Sequence, residues 1–155
     1  YFLALRNRNT ILAIDRATSD LLSMIGGPDS DYLDPGGSPD LFEWPHQFQM
    51  LDGAVLAFSS GSAPWFRSEA LEYTLDKATD TAELVWSYTA DPPLFSVGYG
   101  DVSRLLDGRT MVTWSAQGRI DIVDEQAIEV WRLNLALGGG VGYVTHVVNL
   151  PGLEH

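Results

Sequence analysis

Leu51-Asp52-Gly53-Ala54-Val55-Leu56-Ala57-Phe58 is a turn followed by an apolar run, and it recurs as Leu106-Asp107-Gly108-Arg109-Thr110-Met111-Val112-Thr113-Trp114. The Asp-Gly pair makes a tight turn, because glycine takes positive φ at no steric cost. The run after each turn is short and rich in β-branched and large apolar residues, which reads as a strand. The copy extends outward from this pair. A short strand precedes each turn, His46 to Met50 and Asp101 to Leu105. Two more follow each: Ala70 to Leu75 with Ala82 to Tyr88, and Arg119 to Val123 with Ala127 to Leu133. The third strands close alike, on Leu75-Asp76 and Val123-Asp124, and an earlier strand closes the same way on Ile14-Asp15. A polar turn and an apolar strand follow in every case: Leu84-Val85-Trp86, Val130-Trp131 and Leu21-Leu22. Units of roughly 45–55 residues holding four short strands are the pattern of propeller blades, which bury their faces by stacking.

The chain divides accordingly into part of a first blade at 1–27, a loop at 28–44, a second blade at 45–90, a third at 98–135 and a closing strand at 141–150. In the first, Phe2 to Leu5, Thr10 to Ile14 and Leu21 to Ile25 are the strands, and Asn7-Arg8-Asn9 makes the turn between the first two. The expected fold is therefore all-β, a partial β-propeller of four-stranded antiparallel blades with two full blades plus parts of a third. An ordinary β-sandwich is the alternative, disfavoured because turn residues repeat along with strand residues. Propellers close with four to eight blades, so the expected ring is completed by another chain or by further copies of this one. The strand Tyr143 to Val148 is placed to complete the first blade. The opening on Tyr1, inside a strand, reads as a piece of something longer, and Leu153-Glu154-His155 reads as the scar of a histidine tag.

Composition narrows the function classes. The 155 residues are 45% hydrophobic, which suits a folded chain. Nine basic residues against twenty-one acidic ones give a formal net charge of -12. Such a balance argues against a nucleic-acid partner and against anionic membranes. There is no cysteine, so disulfides, thiol catalysis and thiolate zinc sites are excluded.

Several segments resemble the arylsulfotransferase family. Thr10 to Thr18 followed by Ile25-Gly26-Gly27-Pro28 is similar to a family strand ending in a Gly-Gly turn. Phe42 to Phe48, with Pro45-His46-Gln47, stands where the family usually reads Gln-His-Asp. Leu51 to Phe58, Arg67 to Tyr73, Gly100-Asp101-Val102 with Leu106 to Trp114, and Gly142-Tyr143-Val144 follow in the family's order. The resemblance covers almost the whole chain. It implies a six-bladed propeller, a periplasmic or secreted location and no cofactor. The implied activity is transfer of a sulfuryl group from a phenolic sulfate ester to a phenol, through a transiently sulfated histidine with arginine beside it. Imidazole can serve as nucleophile or acid, and guanidinium can hold two sulfuryl oxygens at once.

On this basis His46 and Arg67 are the candidate catalytic residues, His46 at the start of an axis-lining strand and Arg67 after a Gly/Ser loop. Against these stand a structural histidine bonded to a loop carbonyl and an arginine paired with Glu69. Trp65, Tyr99 and Asp101 are the candidate substrate contacts, Tyr99 having interblade packing as its alternative. His146 alternates with Val144 and Val148 and reads as a packing residue. Arg104 and Arg109 read as surface charges. Asp29, Asp31 and Asp34 read as turn chemistry in preference to a Ca²⁺ site. The five tryptophans read as interblade core. A non-catalytic propeller scaffold or binding module, or a truncated or engineered fragment that self-assembles, is the rival to the enzyme.

Overall fold

In a computed structural model the chain is all-β, with single 3-10 turns at Arg6–Arg8 and Ser115–Gln117. The structure describes residues 1–61, 64, 66–136, 140–142 and 144–145. Trp65, His146 and most of the expected closing strand lie outside them. The strands form three antiparallel meanders. The first sheet holds β1 (Phe2–Leu5), β2 (Thr10–Ile14) and β3 (Leu21–Ile25). The second holds β4 (Pro45–Leu51), β5 (Ala54–Ser59), β6 (Glu69–Asp76) and β7 (Thr81–Tyr88). The third holds β8 (Asp101–Arg104), β9 (Thr110–Trp114), β10 (Arg119–Val123) and β11 (Glu129–Asn134).

The uninterrupted apolar run of β5 follows from burial on both of its faces. Val55 and Ala57 join Ile11, Ile25, Leu71 and Tyr73 in a core between the first and second sheets. Leu56 and Phe58, which point the other way, join Val102, Val112, Trp114 and Val123 between the second and third. Each such large side chain contributes about 1.5–3 kcal/mol on leaving water. Trp114 is fully buried, with the Phe58 ring edge-on at 5.6 Å and Tyr88 at 6.1 Å.

The sheets converge along one side. β1 lies against β4, and β8 against both β4 and β5, whereas the last strands β3, β7 and β11 make no comparable approach. Gln49 of β4 accepts the Arg104 N–H of β8 at 2.7 Å, tying the two inner strands together. This fan is propeller-like. It also fixes which strand is which in the three-stranded first sheet. The turn after β1 ends on Asn9 at φ 56°, and the turn after β9 ends on Gly118 at φ 62°. Both turns are 3-10, and β1 touches β4 as β5 touches β8. So β1, β2 and β3 are counterparts of the second, third and fourth strands of the other sheets.

One expectation changes. Arg104 is not a free surface charge: it is half-buried, pairs with Glu72 of β6 and lies 5.5 Å over the Trp86 ring of β7. Trp131 sits on β11, an edge strand, on the outward face of the last sheet, and is 46% exposed.

Candidate functional site

His46 stands at the start of β4, the inner strand of the second sheet, and is half-buried. Its Nε2 is shielded from solvent and has no hydrogen-bond partner among the described residues. Leaving a buried polar atom unpaired costs about 1–3 kcal/mol, so such an atom calls for an explanation. Its neighbours come from three different segments. Arg6 opens the turn after β1, and its charge acts on the imidazole. Trp44 precedes β4, and its ring lies 4.7 Å beneath the Arg6 guanidinium. Tyr99 precedes β8, with its ring centroid 5.8 Å from that of His46 and tilted by 45°. Burial first, and the Arg6 charge second, push the His46 pKa below the ordinary imidazole range. The ring is therefore neutral near pH 7.

Local chemistry holds these pieces together. Asn9 adopts the left-handed conformation that ends the first turn, and its Oδ1 accepts the Trp44 N–H at 2.9 Å. Arg6 Nη2 donates to the Val97 carbonyl at 2.8 Å, and Nη1 donates to Asn7 Oδ1 at 3.2 Å. Arg6 thereby bridges the first sheet to the segment that carries Tyr99. Gly100 fixes the next residue: a Cβ there would fall 2.1 Å from the Phe58 ring, so only glycine lets the chain pass this close. The Ser96 N–H donates to the Ser68 hydroxyl at 2.8 Å, and the Ser96 hydroxyl accepts the Ala116 N–H at 3.0 Å.

The other expected residues are dispersed. Arg67 pairs with Glu69 at 2.5 Å, as its structural alternative had it. It lines a cavity of about 290 Å³ with Leu41, Phe42, Glu43 and Ser59, and none of Arg6, Trp44, His46 or Tyr99 reaches that cavity. Asp101 is buried, and burial above all raises its pKa. Its carboxyl accepts the Val144 N–H, which holds the segment after β11 onto the third sheet. With Gln47, Gln49 and Arg104 it lines a cavity of about 450 Å³ between β4 and β8. Tyr99 is 63% exposed. It faces His46 and also lines an apolar cavity of about 420 Å³ with Ser115, Ala116, Gly140, Val141 and Gly142. Trp65 lies outside the described residues.

Sequence reasoning missed Arg6. The one available signal was alignment of Arg6-Asn7-Arg8-Asn9 with Ser115-Ala116-Gln117-Gly118, which puts Arg6 on the same end of the fan as His46. The acidic loop does take the turn chemistry expected of it. Asp29 pairs with Arg8 at 2.7 Å, Asp31 accepts the Met24 N–H, and Asp34 accepts the Ser38 N–H.

The constellation at the convergent side of the fan is thus a neutral imidazole, a guanidinium, and two aromatic faces. No protein-family model matches the chain, and no curated protein matches it either.

Proposed function

We propose that this chain is part of an arylsulfotransferase-like β-propeller that moves a sulfuryl group from a phenolic sulfate ester to a phenol, with His46 as nucleophile. The observation that carries the reading is the shielded, unpartnered Nε2 of a neutral imidazole beside a cation and an exposed tyrosine. Nε2 attacks the ester sulfur, the bond from sulfur to the aryl oxygen breaks, and phenolate leaves. The acceptor phenol then attacks the N-sulfated imidazole, the N–S bond breaks, and the phenolic proton goes to the freed imidazole or to water. Desolvation keeps the nucleophile unprotonated, and the guanidinium balances charge on the sulfuryl oxygens. In this reading Trp65, Tyr99 and Asp101 belong to the walls of the substrate funnel. Arg67, paired with Glu69 in a separate cavity, stands outside this site. Further blades, from a companion chain or from copies, complete the ring, and the segmental resemblance supports a periplasmic or secreted setting.

The rival is a non-catalytic binding module. It is favoured by Arg67, already neutralised by Glu69, and by Asp101, whose carboxyl holds the Val144 N–H. Release of p-nitrophenolate from p-nitrophenyl sulfate in the presence of phenol separates the two. The enzyme reading expects release that falls at least about 100-fold in His46→Ala. No release above the uncatalysed rate, or equal release by His46→Ala, gives the module.

A further inference from the structure

We infer that the cavity beside Arg67 binds a small organic cation, an ammonium group on an aromatic body, with Asp40, Glu43 and the Tyr73 hydroxyl receiving the ammonium. This cavity lies apart from the His46 cluster, so its ligand neither requires sulfuryl transfer nor bears on it.

The walls come from three stretches that meet only in the fold. They are the loop ahead of β4, the segment joining β5 to β6, and the face of β6 and β7 that carries Leu71, Tyr73 and Leu84. The backbone of these walls is held. The Ser59 hydroxyl accepts the Glu43 N–H and donates to the Glu43 carbonyl, both at 3.0 Å. That carbonyl also accepts the Gly61 N–H at 3.3 Å. Gly61 has φ 74°, and a Cβ there would fall 2.0 Å from the Arg67 carbonyl oxygen, so only glycine lets the two limbs of the segment approach.

Charge decides what the cavity receives. Arg67 and Glu69 pair at 2.5 Å and neutralise one another. Asp40 and Glu43 remain on the wall, and among the described residues neither carboxylate has a cation or a hydrogen-bond donor. In a chain of net charge -12 these two add to a field that draws cations.

The floor adds an open acceptor. Tyr73 is 8% exposed, yet among the described residues its hydroxyl makes no hydrogen bond. Burial first, then the Asp34 and Glu69 charges, hold its pKa above the usual phenol range, so it stays a neutral hydroxyl with lone pairs to offer. Glu69 is on the cavity wall as well, which puts the hydroxyl end of the ring at the cavity. An ammonium N–H gives that oxygen a partner. Leu41, Phe42 and Leu71, all buried, supply apolar surface for a ring, and aromatic faces attract a cation. The volume of about 290 Å³ is at the small end for a ligand site and suits a single ring with a short arm. Among the described residues no three metal-ligating side chains gather closely enough to hold a metal ion, so the cation that fits is organic.

The test is binding of benzylammonium to the full chain, followed through the methyl resonances of Leu71 and Leu84. Benzylammonium should shift both saturably. Benzyl alcohol, its neutral counterpart, and benzoate, its anionic one, should bind at least about 5-fold more weakly. Asp40→Asn combined with Glu43→Gln should weaken benzylammonium by about 5- to 10-fold. Tyr73→Phe keeps the ring and removes only the unbonded hydroxyl, and should weaken it by about 3-fold. Asp20→Asn combined with Asp52→Asn takes the same charge from exposed turns elsewhere and should leave the affinity unchanged. No shift of either leucine, equal affinity for benzyl alcohol, or unchanged affinity in the Asp40/Glu43 pair or in Tyr73→Phe would overturn the inference. An equal loss in the Asp20/Asp52 pair would do so too, by reducing the effect to the charge of the whole chain. Tighter binding of benzoate would give the cavity to an anion on Arg67. Displacement of benzylammonium by an equal concentration of Ca²⁺ would give it to a metal ion, and either result ends the organic-cation assignment.

Discussion

The imidazole of His46 is held neutral by two effects of the same sign, loss of solvent and the Arg6 charge, and this has a consequence for stability that needs no substrate. The unfolded chain takes up a proton at this histidine as pH falls through about 6.5. The folded chain resists until its lower pKa is reached. Over that window the unfolded state binds more protons, so stability present above the unfolded pKa is lost as pH falls toward the folded one. One group contributes a slope of at most about 1.4 kcal/mol per pH unit. Urea denaturation from about pH 7.5 down to about pH 5.5 should therefore show a steeper loss for the wild type than for His46→Gln. Parallel losses would mean that the folded imidazole titrates normally. At this scale the sequence was half legible. His46 could be chosen because it begins an inner strand of a blade, where the resemblance also puts a histidine. Arg6 could not, because its partners Trp44 and Val97 are far along the chain and meet it only once the sheets have stacked.

β10 carries the strongest polar link between two sheets. Asp121 is fully buried, and its carboxylate accepts the Trp114 Nε1–H at 2.7 Å, the Tyr88 hydroxyl at 3.0 Å and Arg119 Nε at 2.7 Å. Arg132 of β11 adds a longer contact of 3.4 Å. Tyr88 belongs to the second sheet and the rest to the third, so the cluster locks them together. Burial, then the Asp121 charge, raises the Tyr88 hydroxyl far above its usual range and keeps it a donor. Asp121→Asn removes the charge that balances Arg119, itself nearly buried. Breaking a buried pair from one side costs about 3–5 kcal/mol, and chemical denaturation should read a loss of that size. A loss below about 1 kcal/mol would mean that Glu129 alone suffices for Arg119. The strand itself was legible from Arg119 to Val123, with the bounds the structure gives it. The fate of its polar face was not. Alternation of Ile120 and Ile122 with Arg119 and Asp121 suggests one wet face, but stacking buries Arg119 and Asp121 against the second sheet. Alternation marks two unlike faces but cannot say which one a neighbouring sheet covers, and here it is the polar one.

At the scale of the molecule the same stacking leaves its two end faces unlike ordinary surface. On the first sheet, the row Ala4, Ile11 and Ile25 packs inward. The neighbouring row Leu3, Leu12 and Met24 points away from the second sheet and is not fully buried. On the third sheet, Val102, Val112 and Asp121 face the second, while Met111, Ile122 and Trp131 face out. Both end faces thus carry the apolar residues that an inner sheet would bury, as blades in a ring require. The expectation of a ring completed from outside follows from these faces as well as from the repeat. If copies of this chain complete it, light scattering of the pure protein should give a mass above that of one chain. Leu12→Lys, which puts a charge in the middle of the outward row, should move it toward the monomer. Charge makes the experiment sharper. Each copy brings -12, so association by apolar burial is opposed by repulsion that salt screens. Assembly should therefore strengthen as ionic strength rises from about 0.01 M to about 0.15 M, over which the Debye length falls from about 30 Å to about 8 Å. A monomer at both salt concentrations and at high protein concentration would rule out completion of the ring by copies of this chain.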